Sequence, residues 1–183
     1  MRRIASALVA LSTAGGMAVA SVAAMTPAAA ATSRAAACSV HWGTNAKHRG
    51  STATVATRVR TVRAGQHGCF DRLVIDLSGG RQPSFSAQYV KRIVAEGSGK
   101  VLKVRGNAKI LIVVRGPAGA HYDASAVNLA SVSGFKTFRQ VRGAGSFERV
   151  TAIGLGVRAK LPFRVFELGS SHSGWRIVID VAH

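Results

Sequence analysis

Basic side chains are the groups in this sequence with the clearest chemical capacity. The 183-residue chain has 25 Lys and Arg residues against 7 Asp and Glu residues, which gives a formal net charge of +18 at pH 7. Such an excess attracts polyanions and raises the rate at which they encounter the protein. The pairs Arg58/Arg60 and Lys103/Arg105 are each spaced by two, so each pair shares one face of an extended strand. The alternative interpretation is compositional: a solvated basic face in a chain rich in Arg and Ala.

The carboxylates are too few and too scattered to predict an active site. A glycosidase needs two carboxyl groups that face one sugar at close range. Asp71 and Asp76 are five positions apart, so on one strand they point to opposite faces. We therefore interpret the strand carboxylates as partners of ion pairs, and the sequence predicts no catalytic acid or base.

A short internal repeat gives these ion pairs a specific register. Residues 72–77 (RLVIDL) recur as residues 176–181 (RIVIDV), either because two amphipathic strands use the same residue types or because an ancient duplication produced a pseudo-symmetric sandwich. If the two strands are antiparallel with Val74 opposite Val178, each Asp meets an Arg, and each exposed pair contributes about 0.2–1 kcal/mol. The two expected pairs are Arg72–Asp180 and Asp76–Arg176.

Glycine, histidine and serine motifs also fall short of an active site. Residues 154–159 (GLGVRA) match a dinucleotide-binding pattern, but that pattern needs a helix next, and Pro162 leads instead into another predicted strand. Residues 97–100 (GSGK) resemble the end of a phosphate loop, but Val101 stands where Ser or Thr must bind magnesium. The histidines have no zinc spacing, and no G-x-S-x-G marks a nucleophile. We expect no cofactor, no metal site and no enzymatic activity; an unrecognised hydrolase is the less favoured alternative.

The first 31 residues have the pattern of a secretory signal peptide. Arg2 and Arg3 precede an uncharged stretch from Ile4 to Met25, and the small residues 28–31 (AAAA) suit a cleavage site. A transmembrane anchor is the alternative, but the middle of the stretch is only weakly apolar. We therefore expect a secreted protein, extracellular or associated with the cell wall, without a membrane span in the mature chain.

The two cysteines favour a disulfide. Residues 32–54 are small, polar and weakly patterned, which predicts a flexible N-terminal arm. Cys38 lies in this arm, and an even number of cysteines in an exported chain favours a bridge to Cys69. The bridge would close a loop of about 30 residues and stabilise the fold by about 3 kcal/mol. A lipidated Cys38 is the alternative, although the residues before it match a lipobox poorly. We expect His67 to cap the turn before Cys69.

Residues 55–183 alternate short apolar runs with glycine-containing turns, which is typical of an all-β sandwich or barrel. In one run Leu73, Ile75 and Leu77 share a face. The sequence predicts a single compact β-sandwich of short antiparallel strands with at most one short helix, whose candidate is Ala124–Val132. The predicted strands are Val55–Arg63, Phe70–Leu77, Phe85–Val94, Val101–Val104, Ala108–Arg115, Lys136–Arg142, Arg149–Val157, Pro162–Leu168 and Trp175–Val181.

The same region contains a series of motifs in a fairly specific order. They are residues 67–77 (HGCFDRLVIDL), 96–99 (EGSG), 147–148 (FE), 154–156 (GLG), 162–165 (PFRV) and 176–181 (RIVIDV). Together they resemble the AMIN-like domain of secreted actinobacterial proteins over about residues 55–183. That family is similar in name and fold to the AMIN domain, a β-sandwich that targets cell-envelope amidases and secretin-associated proteins to the periplasm or to peptidoglycan. The resemblance implies a non-catalytic module and carries over no ligand-binding residues.

Charge and resemblance together predict a secreted binding module at the cell envelope. We expect it to capture anionic cell-wall polymer or peptidoglycan electrostatically, with recognition of shape in a groove between strands. The alternative is a secreted polyanion or nucleic-acid binder, which would need exposed aromatic side chains to stack on bases. The few aromatic residues are expected in the core. The sequence does not identify the ligand-binding residues.

The export prediction can be tested on secreted material. The N-terminus should lie between about Ala31 and Ala37, because cleavage follows small residues. N-terminal sequencing of protein recovered outside the cell measures this directly, and Met1 on that material would contradict it.

Overall fold

Eleven β-strands make up the described part of the molecule, residues 38–50 and 57–183 of a computed structural model. The predicted signal peptide (1–31) and the arm residues 32–37 and 51–54 lie outside the described residues. The strands are β1 (Lys47–Arg49), β2 (Arg58–Gln66), β3 (Phe70–Ser78), β4 (Phe85–Val90), β5 (Ile93–Val94), β6 (Val101–Leu102), β7 (Ala108–Val114), β8 (Phe138–Phe147), β9 (Val150–Val157), β10 (Phe163–Ser170) and β11 (Gly174–Ala182).

The strands form two facing antiparallel sheets and a hairpin. The five-stranded sheet has the order β1-β4-β7-β9-β8, and the four-stranded sheet has the order β10-β11-β3-β2. The short strands β5 and β6 pair with each other. The all-β sandwich prediction is therefore confirmed. The repeat segments are neighbours in the four-stranded sheet, with Val74 opposite Val178, as the predicted register requires.

The inner faces of the two larger sheets form the main core. Strict alternation along each strand sends every second apolar side chain inward, and Leu73, Ile75 and Leu77 do share the core face, as predicted. Each fully buried aliphatic side chain of this kind contributes about 1.5–3 kcal/mol. The largest buried contributors from the other strands are Ile110, Ile112, Phe138, Ile153, Leu155, Phe163, Ile177 and Ile179.

Strand β9 separates this core from a second, smaller one. Its large residues, such as Leu155, belong to the main core. Its small residues face the other way, where Ile93 and Val104 pack on the outer side of the five-stranded sheet. A Cβ at Gly156 would collide with the carbonyl oxygen of Arg105, and one at Gly154 would come within 3.1 Å of the Ile93 side chain. The glycines of the GLG motif thus let another chain segment lie directly on the strand, as expected of a glycine-bearing strand.

The predicted helix at Ala124–Val132 is wrong. This segment runs beside β8 and uses its backbone groups there: the Gly143 N–H donates to the Ala126 carbonyl, and the Leu129 N–H donates to the Val141 carbonyl, at 2.9 and 2.8 Å. A helix would need those groups for its own hydrogen bonds between residues four apart. Pairing with the edge of the sheet therefore replaces the local structure.

The described part of the predicted arm, residues 38–50, joins both sheets. Strand β1 pairs with β4, and Arg49 forms an ion pair with Glu167 of the four-stranded sheet at 2.8 Å. Cys38 and Cys69 form the predicted disulfide, with Cα atoms 5.3 Å apart. The bridge fastens the segment before β1 to the start of β3.

Removal of the disulfide should lower stability through the unfolded state. Because the bridge spans 31 positions, the variant Cys38→Ser/Cys69→Ser should lose about 3 kcal/mol of unfolding free energy in the chain-entropy description. Urea denaturation of oxidised, reduced and doubly substituted protein measures the loss. Reduced protein should match the variant. Equal stability of all three forms, alkylation without prior reduction, or an acyl mass on Cys38 would contradict the assignment.

Candidate functional site

A groove lined by basic side chains lies at the β5–β6 hairpin and has a volume of about 440 Å³. Its apolar floor is formed by Val101, Leu102 and Val104. We call it the basic groove, and its five cationic residues are Lys91, Arg92, Lys103, Arg105 and Lys109.

Three elements bring these cations together. Strands β4 and β7 are paired so that Val90 lies opposite Lys109, and the next two residues of the chain are Lys91 and Arg92. After β6 the chain buries Val104 in the small core and exposes the residues on either side of it. Lys103 and Arg105 are both exposed, but β6 ends at Leu102, so the prediction that they share one face of a strand is wrong.

The charge of the basic groove is not neutralised by any acid among its lining residues. Within the described residues none of its five cations forms an ion pair. The Lys109 ammonium donates one hydrogen bond, 3.2 Å long, to the Gly106 carbonyl, and this bond leaves its charge in place. Five like charges beside one cavity create a local field that attracts anions.

The outer face of the four-stranded sheet is also rich in Arg, and three of its Arg residues (Arg63, Arg72 and Arg164) are paired with carboxylates, whereas Arg58 and Arg176 form no ion pair within the described residues. Asp180 is fully buried and accepts hydrogen bonds of 2.7 and 2.8 Å from Arg72 and one of 2.8 Å from Arg164. The predicted Arg72–Asp180 pair is confirmed, although this carboxylate is buried rather than exposed. The Arg164 guanidinium lies 4.4 Å from the ring of Trp42 and 5.1 Å from the ring of Phe166. This cluster fastens the arm to the sheet, and its one carboxylate offsets one of the two guanidinium charges.

The second predicted pair differs from the structure. Asp76 is opposite Arg176 in the register, but its carboxylate accepts hydrogen bonds from Arg63 at 2.8 Å and Thr61 at 3.0 Å on the other neighbouring strand. Burial acts to raise the pKa of Asp76, but the bonds from Arg63 and Thr61 and the nearby Arg63 and Arg176 charges outweigh it and hold the pKa below its ordinary value. A strand in mid-sheet has two neighbours, and the sequence repeat indicated only one of them.

A wider polar pocket of about 770 Å³ lies next to the basic groove and shares Arg105 with it. The buried side chain of Gln140 forms hydrogen bonds with residues on both sides of the boundary between the two cavities. Its oxygen accepts the Arg105 backbone N–H at 2.8 Å, and its amide donates to the Val127 carbonyl at 2.9 Å and to the Asn128 oxygen at 3.3 Å. Sequence reasoning missed Gln140, because β8 also carries Arg139 and Arg142 and a further polar residue among them gives no distinct signal.

Asp71 proves to be structural. It is fully buried, and its carboxylate accepts the backbone N–H groups of Thr137 at 2.6 Å and Phe138 at 2.9 Å, while His183 lies 3.0 Å away. These bonds fix the start of β8, which forms one wall of the polar pocket. The contact crosses 66 positions of sequence, so no local pattern could indicate it.

The remaining candidates for chemistry stay apart. His67 closes its turn through its backbone N–H, which donates to the Phe70 carbonyl at 2.9 Å, while its ring stacks on Phe70. His41 and His48 are exposed. In residues 38–50 and 57–183 the His, Cys, Asp and Glu side chains form no group of three or more that could hold a metal ion. Over the same residues no helix is long and apolar enough to span a bilayer.

The lowered pKa of Asp76 predicts a dependence of stability on pH. Because the folded pKa lies below the unfolded value of about 3.9, the carboxylate contributes stability that is complete above that value and is lost as pH falls through the folded pKa. Asp76→Asn should therefore be less stable than wild type at neutral pH, and the difference should vanish in acid. Urea denaturation between about pH 7 and pH 2 measures it.

The exposed carboxylate Glu148, which has no ion pair within the described residues, provides the matched control as Glu148→Gln. A stability deficit of Asp76→Asn that persists undiminished below the folded pKa would contradict the role of the ionised carboxylate.

Comparison with known proteins identifies a family. Residues 57–183 match the family model of the AMIN-like domain. No curated protein and no solved structure gave a significant match. The match covers well over half of the chain and nearly all of the sandwich, and it confirms the resemblance seen in the motifs. The chain therefore belongs to the AMIN-like domain family, which suggests an envelope-associated binding module.

Proposed function

We propose that this protein is a secreted, non-catalytic module that captures anionic cell-wall polymer at the cell envelope, with the basic groove as its contact surface. Family membership suggests the envelope association. An extracellular location is compatible with the disulfide between Cys38 and Cys69. The observation that carries the proposal is the unpaired charge of the basic groove.

Three Arg residues of the four-stranded sheet have carboxylate partners and the cations of the basic groove have none in the described part of the chain, and this difference supports the choice of surface. On the four-stranded sheet Arg63, Arg72 and Arg164 each have a carboxylate within 2.8 Å. In the basic groove the five cations have none within the described residues. A polyanion that approaches these three Arg residues must compete with carboxylates, whereas one that approaches the basic groove meets five cations that have no ion pair among the described residues. Charge-assisted hydrogen bonds to phosphate or carboxylate oxygens are the strong ones.

The shape of the groove suits an extended polymer. It is an open cavity of about 440 Å³ lined by five basic residues and three apolar ones, and the apolar residue Val101 is 52% exposed. Wall polymers repeat an anionic group along a chain of carbon and sugar units, so their charged and apolar parts can both find contacts. A linear polyanion can also engage several cations at once, which multiplies weak contacts.

Nucleic acid is the weaker ligand on the same observations. Single-stranded nucleic acid binds to basic grooves that also present aromatic side chains for base stacking. The residues that line the basic groove include no aromatic ring. The rings of Trp42 and Phe166 lie on the other sheet, against the internally paired Arg164.

Charge removal from the basic groove should weaken binding to wall. The variant Lys91→Gln/Lys103→Gln/Lys109→Gln should bind purified wall about tenfold to a hundredfold more weakly at low salt, since each exposed charge contact contributes about 0.5–1 kcal/mol. Co-sedimentation with wall over a range of protein and salt concentrations measures this. Binding of wild type should weaken with salt, because screening acts over about 8–10 Å at physiological ionic strength.

The matched control removes three charges from another part of the surface. The variant Arg58→Gln/Arg60→Gln/Arg81→Gln changes exposed residues that form no ion pair in the described part of the chain. It should retain most of the binding. Equal losses in both variants would refute the assignment to the groove. Equal affinity of wild type for wall, heparin and DNA, all lost together in salt, would leave only a generic basic surface.

A further inference from the structure

The polar pocket beside the basic groove has properties that a purely electrostatic surface does not need. Its volume of about 770 Å³ falls in the range of small-molecule sites. Its lining contains no Asp or Glu residue. It combines side-chain hydroxyl and amide groups, an aromatic ring and two guanidinium groups.

We propose that this pocket is a subsite for one sugar ring that bears a carboxylate, within the same polymer that the basic groove holds. The inference rests on the proposed function and adds the chemical class of the recognised unit. Carboxylate-bearing rings reach a cell wall from two sources: muramic acid whose stem peptide has been removed, which frees a lactyl carboxylate that is otherwise amide-linked, and the uronic acids of other wall polymers. The shared chemistry is a ring with hydroxyl or amide groups at its edge, an apolar face and one carboxylate.

The hydrogen-bonding groups of the pocket are available for a ligand. Ser131 and Ser133 are exposed and line the pocket, and their hydroxyls have no partner within the described residues. Asn128 accepts a hydrogen bond from Gln140 at 3.3 Å, and its own amide N–H groups have no partner in the described part of the chain. Specific polar groups of this kind orient a ligand in a pocket.

The aromatic wall is held rigidly. Phe135 stacks on Phe138 with ring centroids 6.0 Å apart and an angle of 16° between the planes. Phe138 is buried, whereas Phe135 is only partly buried and lines the pocket. A fixed ring offers an apolar surface to the C–H face of a sugar at little cost in side-chain entropy.

Arg139 supplies an oriented positive charge. Its guanidinium donates to the carbonyls of Phe135 at 3.0 Å and Phe138 at 2.9 Å, and more weakly to that of Lys136 at 3.3 Å. These carbonyls are neutral, so they fix the position of the guanidinium without cancelling its charge. Within the described residues Arg139 has no ion-pair partner. A ligand carboxylate would complete such a site.

The groove and the pocket adjoin at Arg105, which lines both. The buried Gln140 amide holds the two sides together, because its oxygen accepts the Arg105 backbone N–H and its nitrogen donates to the Val127 carbonyl and to the Asn128 side-chain oxygen. A polymer chain that passes Arg105 can therefore present its charged links to the groove and one ring to the pocket. The hydrogen bonds and ring contacts of the pocket should resist salt, whereas the contact between Arg139 and the ligand carboxylate should weaken with it.

Titration of the purified, disulfide-bonded protein with soluble sugars tests the subsite. The probes are the peptidoglycan disaccharide freed of its stem peptide, so that it carries the lactyl carboxylate, a disaccharide that contains glucuronic acid, and neutral diacetylchitobiose. Binding is followed by backbone amide shifts in NMR spectra. Shifts at residues 128–135 with at least one acidic probe, and about tenfold weaker binding of the neutral one, would support the proposal. The relative affinity of the two acidic probes distinguishes the sources.

Two pocket variants and one groove variant complete the design. Arg139→Gln removes the charge, and Ser133→Trp fills the pocket at an exposed position without disturbing Arg139. Both variants should bind the acidic probe about tenfold or more weakly than wild type. The groove variant Lys91→Gln/Lys103→Gln/Lys109→Gln should bind that probe as wild type does. Thermal melting confirms that each variant is folded.

The outcomes separate this proposal from the proposed function. Equal affinity for acidic and neutral probes, shifts confined to other residues, or full binding by Ser133→Trp would overturn the subsite. If the subsite fails while the groove variant still loses wall binding, the proposed function stands alone. If the disaccharide binds in the pocket but the groove variant retains wall binding, the groove is not the capture surface.

Discussion

Strand β9 carries large side chains on one face and small ones on the other, and both layers of the domain depend on that difference. Its large side chains, such as Leu155, fill the main core between the sheets. Its glycines leave room for the Arg105 backbone to lie directly on the opposite face. Side chains at Gly154 and Gly156 would push that segment away, and the hairpin that carries half of the basic groove would lose its support. One alternating strand thus sets both the stability of the sandwich and the position of its candidate site.

The distribution of seven carboxylates decides which of the many cations are free. Asp76 and Asp180 lie in the four-stranded sheet and form ion pairs with three Arg residues there. The Asp71 carboxylate accepts backbone N–H groups at the start of β8 and pairs with no Arg or Lys among the described residues. None of the residues that line the basic groove is an Asp or a Glu. The excess of positive charge in the sequence is thus partly offset around Asp76 and Asp180 and is not offset among the residues that line the basic groove.

Local patterns predicted the strands well where alternation was clean and poorly where another segment competed for the backbone. The register of β3 and β11 followed from the repeat, since only one alignment brings both Asp residues opposite Arg. Ala124–Val132 was predicted to be a helix, yet its backbone groups form hydrogen bonds with the backbone of β8. The partner of Asp76 was assigned to the wrong strand, because a central strand has two neighbours and β2 shows no repeat that would mark it. Gln140 was missed because its hydrogen-bond partners are 12 to 35 positions away in the sequence.

The sequence by itself determined the all-β class, the disulfide, the central strand register and the family, because each of these is written in local alternation, residue type or motif order. The tertiary structure alone decided which cations face solvent unpaired and which cavities they border. Lys91, Lys103 and Lys109 are separated by turns and strands in the chain, and only the packing of the hairpin on the glycine face of β9 brings them to one groove. The net charge of a chain is a sum that does not depend on where the residues lie. The interaction between charges falls with their distance in space, so only the folded structure decides where the positive field is strong.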